Sequence, residues 1–100
     1  DKDYSLQLHS LEVVIKGQGY VQLQGKTDEL KVNTLGSGNF QGKEFHAHKA
    51  TLSISGTGHI DTFVTEKVQA KIIGYGHIAI FGNPPQRDTN IKGSGKIEFL

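Results

Sequence analysis

Apolar and polar residues alternate with a period of two through most of the chain, and Gly-x-Gly cuts the alternation at regular intervals. The pairs stand at Gly17 and Gly19, Gly36 and Gly38, Gly56 and Gly58, Gly74 and Gly76, and Gly93 and Gly95, with spacings of 19, 20, 18 and 19 residues. Two positions before each pair are Ile15, Thr34, Ile54, Ile72 and Ile91, and four before are Val13, Val32, Leu52, Ala70 and Thr89. The second residue after each pair is Val21, Phe40, Ile60, Ile78 and Ile97. A period of two on both arms predicts strands with one buried face. No window shows the 3.6-residue periodicity of an amphipathic helix.

Each unit therefore reads as strand, Gly-x-Gly corner, strand, and a longer polar turn such as Gly25 to Glu29 or Gly82 to Asp88. Glycine suits a corner because it adopts positive φ without steric cost. A unit of about 19 residues buries too little to fold alone, so neighbouring units must stack at about 4.8 Å per coil. The sequence thus predicts an all-β, single-domain parallel β-solenoid of five two-strand coils over residues 1–100. Residues 1–10 are expected to form a partial coil, and parallel crossovers favour right-handed winding. The competing topology, hairpins closed at each Gly-x-Gly, would favour Asn-Gly or Asp-Gly turns, and no corner has one.

The phrase Gly36-Ser37-Gly38-Asn39-Phe40, echoed at Ser55 to Ile60 and at Gly93 to Ile97, resembles the putative auto-transporter adhesin, head GIN domain family. Its members are bacterial proteins that repeat Ser-Gly-Ser-Gly-Asp/Asn-Ile/Val along a β-helical domain. The resemblance is good over residues 30–100 and looser before them. It implies an exported protein, periplasmic or on the outer cell surface, with an adhesin-like role. The family's common Asp after the second Gly is replaced here by Tyr20, Asn39, His59, His77 and Lys96. No catalytic residue is carried over.

Composition narrows the chemistry. The chain has no Cys, Met or Trp, so disulfides, thiolate nucleophiles and redox dithiols are excluded. Eleven basic residues against ten acidic ones give a formal charge of +1, and no net field marks a nucleic-acid or anionic-membrane binder. No apolar run is long enough to insert in a bilayer. The chain opens at Asp1 and closes on Ile97-Glu98-Phe99-Leu100, and is expected to be a fragment of a longer protein. Its uncapped last coil is expected to support homo-oligomers through open solenoid ends.

Stacking sets Tyr20, Asn39, His59, His77 and Lys96 in one outward column, with Tyr75 near the corner. These six residues are the candidate binding strip for a glycan or protein ligand. The two imidazoles are expected within about 5–7 Å of each other, but a column with two good ligands beside a lysine is no metal centre. His46 and His48, on one side of their strand, are expected to be ordinary surface residues. Phosphate loops fail: Gly25-Lys26-Thr27 lacks the required glycine five residues earlier, where Tyr20 stands. Carboxylates are scattered over coils and registers, so no catalytic residue and no cofactor is assigned. The expected role is noncatalytic binding. The alternatives are a polysaccharide-processing domain and a structural unit assembling end to end.

Overall fold

The computed structural model describes residues 5–100. Its strands are β1 (Ser5–Gly17), β2 (Tyr20–Gly36), β3 (Asn39–Gly56), β4 (His59–Gly74), β5 (His77–Phe81), β6 (Gln86–Gly93) and β7 (Lys96–Phe99). All pairings are parallel, which removes the hairpin topology. The order is β1-β2-β3-β4-β5-β7, and β6 pairs with the second half of β4 while β5 pairs with the first half. This is an all-β solenoid of about five turns with a Gly-x-Gly corner in each. Asp1–Tyr4, the start of the expected partial coil, lie outside the described residues, as do the side chains of Leu6 and Leu8. Ser5–Ser10 run directly into the first corner-bound strand as part of β1.

The two glycines of a corner meet different demands. Gly74 has φ +119°, and a Cβ there would stand 2.7 Å from the carbonyl oxygen of Gly56 in the coil before. Gly76 has an ordinary φ, but a Cβ would stand 2.5 Å from Ile54 Cγ2. The first glycine permits the bend, and the second makes room for an isoleucine of the preceding coil. Hydrogen bonding continues across the corner, from Tyr75 N to Gly56 O at 2.9 Å and from His77 N to Gly58 O at 3.0 Å.

Inside, equivalent residues stack into continuous ladders. Val13, Val32, Leu52 and Ala70 form one, Ile15, Thr34, Ile54 and Ile72 a second, and Val21, Phe40, Ile60, Ile78 and Ile97 a third. The middle coils are fully enclosed, with Phe40, Ile54, Ile60, Ile72 and Ile78 inaccessible to solvent. Burial of each such side chain contributes roughly 1.5–3 kcal/mol. Two irregularities are instructive. Thr34 interrupts an isoleucine ladder, and its buried hydroxyl has no hydrogen-bond partner. Phe40, the largest member of its ladder, lays its ring over Gly42, where a Cβ would come within 2.5 Å of Phe40 Cε2.

The expected polar turn at Gly25–Glu29 is no break in the strand. β2 and β3 continue through this region because neighbouring coils still pair residue by residue, Gly25 with Phe45 and Thr27 with Ala47. Thr27 is buried there, and its Oγ1 donates to the carbonyl of Glu29 at 3.0 Å. The coil bends by register shifts, between Gln22 and Gln24 in β2 and around Gly42–His46 and Ala47–Lys49 in β3. Among the described residues, the break in strand away from the corners lies at Gly82–Pro85, between β5 and β6. Two prolines have no N–H for the parallel ladder, and Asn83 takes φ +56°. Arg87 ties this loop down, donating to Pro84 O at 3.0 Å and Asn83 Oδ1 at 2.5 Å.

Candidate functional site

The register places Tyr20, Asn39, His59, His77 and Lys96 in one column, each the Cα partner of the next. They point outward because the residues on either side of them in sequence are a corner glycine and the inward ladder of Val21, Phe40, Ile60, Ile78 and Ile97. Two residues further along each strand a second outward column runs Gln22, Gln41, Asp61, Ala79 and Glu98. The two columns are joined by hydrogen bonds. Tyr20 donates its hydroxyl to Gln41 Oε1 at 2.7 Å, and His59 Nε2 donates to Asp61 Oδ1 at 2.6 Å. His77 Nε2 donates to Glu98 Oε1, and Lys96 Nζ lies against Glu98 Oε2, both at 3.0 Å.

The rings of His59 and His77 meet edge-on with centroids 4.8 Å apart, slightly closer than the stacking distance predicts. The hydrogen bond from Lys96, followed by that from His77, holds the Glu98 carboxyl below the usual carboxylate range. The result is a partly exposed strip of phenol, amide, imidazole, carboxylate and ammonium groups. Tyr75 stands apart from it, at the middle position of a corner and 70% exposed. The strip can make many simultaneous hydrogen bonds to a ligand lying across the coils. Among the described residues, no three His, Asp or Glu side chains are placed to hold one metal ion.

A second polar cluster was not anticipated. On the bent side of the coils, His9 Nδ1 donates to Asp28 Oδ2 at 3.0 Å, and His48 Nδ1 lies 3.5 Å from Asp28 Oδ1. His9, Asp28 and His48 each stand eight residues before the first glycine of a corner, so counting one step further along the alternation finds them. His46 is also more than a surface residue, because its ring stacks on Phe63 at 4.1 Å between centroids. That contact has no such signal. The register shift in β3 sets His46 opposite Phe63, off the count from the corners.

With the coils and their outward columns established, comparison with known proteins places the chain. One family model matches residues 1–84. The chain belongs to the family described as putative auto-transporter adhesin, head GIN domain. Two solved structures share the fold of this head GIN domain. A putative adhesin from Bacteroides fragilis is 28% identical, with a TM-score of 0.88 over 96% of this chain and 45% of its own. A putative lipid binding protein from Parabacteroides distasonis is 30% identical, with a TM-score of 0.88 over 91% of this chain and 37% of its own. The head GIN domain described here thus spans less than half the length of either. A comparison with curated proteins finds no match.

Proposed function

We propose that the domain is a noncatalytic, adhesin-like binding module, exported to the periplasm or the outer cell surface, and that its ligand is a glycan. The observation that carries this reading is the joined pair of outward columns from Tyr20 to Lys96 and from Gln22 to Glu98. They present donors and acceptors at the regular spacing of stacked coils, and hydroxyl-rich chains are bound by such arrays. Tyr20, 60% exposed, adds a ring face at one end. The names of the two solved relatives speak of adhesion and of lipid, but these columns have no apolar cleft for an acyl chain. The noncatalytic reading is supported by the carboxylates themselves. Asp61 and Glu98 are each engaged by an imidazole and are separated by the coil that carries Ala79.

Screening the domain against an immobilised glycan library tests the proposal. Binding is expected for the parent chain and is expected to be lost in His59→Ala/His77→Ala, with circular dichroism unchanged. Glycan binding that survives this double variant, or cleavage of any bound glycan, would overturn the reading.

A further inference from the structure

The strands leading into the corners present a different outward surface. One column holds Val14, Asn33, Ser53, Lys71 and Asn90, and the next holds Lys16, Leu35, Ser55, Ile73 and Lys92. Across these ten positions stand three lysines and no carboxylate. The middle residues of the corners, Gln18, Ser37, Thr57, Tyr75 and Ser94, extend the surface without adding an acid. The near balance of charge in the whole chain conceals this, because the acids stand off these two columns: Glu12 and Asp88 lie one outward column further from the corners on the same strands, and Asp61 and Glu98 lie beside the histidine ladder. No ion pair among the described residues involves Lys16, Lys71 or Lys92.

The same surface exposes aliphatic side chains. Val14 is 50% exposed, Leu35 38% and Ile73 43%, with Tyr75 at the rim. A single exposed aliphatic residue is ordinary, but here three share two adjacent columns with unpaired ammonium groups. The surface is also regular, since from Glu29 to Gly36 and from Lys49 to Gly56 the pairing runs without a register shift. Its columns therefore stay in line from coil to coil across the sheet.

We propose that this face, with Lys16, Leu35, Lys71, Ile73, Lys92 and Tyr75, docks the domain flat on an anionic lipid surface. The aliphatic groups enter the interface, the lysines extend their stems along it to reach the phosphates, and Tyr75 sits at headgroup level. A soluble polyanion would use the lysines and gain nothing from Leu35 or Ile73, so the combination favours a bilayer. Each lysine near an anionic membrane strengthens binding by roughly fivefold, and three by on the order of 100-fold. The face is separate from the histidine ladder, and this inference does not depend on the glycan reading.

Co-sedimentation with vesicles of phosphatidylcholine, alone or mixed with phosphatidylglycerol, tests it. The parent chain is expected to sediment with the mixed vesicles and to stay in solution with phosphatidylcholine alone. Lys16→Glu/Lys71→Glu/Lys92→Glu should weaken binding by on the order of 100-fold or more. Leu35→Ser/Ile73→Ser should also weaken it, whereas His59→Ala/His77→Ala should bind as the parent does. Circular dichroism checks that each variant is folded. Absence of binding to mixed vesicles, or equal binding to both kinds, overturns the proposal. Full binding by the serine variant together with competition by dextran sulfate would also overturn it, in favour of a soluble polyanion.

Discussion

The carboxylate that serves His77 comes from the next coil: Glu98 Oε1 accepts from His77 Nε2 at 3.0 Å, because the position two residues after His77 is Ala79. His59 has its acid, Asp61, in its own coil. The pair His77 and Glu98 therefore ties β5 to β7 through side chains as well as through the backbone.

This arrangement sets a pH dependence. Lys96 first, and His77 second, hold the Glu98 carboxyl below the usual carboxylate range in the folded chain. A depressed carboxyl stabilises the fold above its unfolded value, and that contribution is lost as pH falls through the folded value. Carbon-detected NMR titration should find Glu98 titrating at lower pH than a free glutamate, and Lys96→Ala should move it back up. A Glu98 titration unchanged by Lys96→Ala would show that the ammonium has no influence.

Thr34 offers a simple gain in stability. Its hydroxyl is buried in an isoleucine ladder without a partner, and an unsatisfied buried hydroxyl costs roughly 1–3 kcal/mol. Thr34→Val keeps the shape and removes the polar atom. Urea denaturation should show a gain of roughly 1–2 kcal/mol with an unchanged slope. A lower midpoint would mean that the hydroxyl is satisfied in solution.

The corners predict a graded response to alanine. Gly74→Ala combines φ +119° with a Cβ forced against the Gly56 carbonyl, and should destabilise the fold by about 3 kcal/mol or more. At Gly17, φ is +77° and nothing among the described residues lies within 4 Å of the added Cβ, so Gly17→Ala should cost only about 1 kcal/mol. Equal losses in thermal unfolding would contradict the crowding described between successive corners.

Phe40 and Gly42 should behave as one packing unit. In Gly42→Ala the new methyl meets the Phe40 ring, with Asp61 O behind it at 3.1 Å, and the fold is destabilised. Phe40→Leu added to that background should recover part of the loss, with a coupling of roughly 1 kcal/mol. Strict additivity in a double-mutant cycle would refute the unit.

Much of this was legible because the glycines act as fixed markers. Counting from Gly36 or Gly74 correctly aligns the inward ladders and the outward column from Tyr20 to Lys96. Two kinds of feature escaped the count. The direction of a side chain within its column is not in the spacing, so the reach of His77 to Glu98 in the next coil has no signal in the sequence. Across the bend the register slips, so His46 meets Phe63 and the supposed turn at Gly25–Glu29 remains strand. Net charge was legible as a number, but the gathering of Lys16, Lys71 and Lys92 in two columns without a carboxylate shows only when the columns are laid side by side.

The register shifts in β2 and β3 have a consequence for how the chain tolerates change. Corner-to-corner distances vary between 18 and 20 residues, yet the strands entering each corner stay in step from coil to coil. The bend takes up the slack, as an expansion joint does in a rigid frame. Residues can be gained or lost there while both outward faces keep their alignment, so new surface loops belong at the bend and never at the glycine corners.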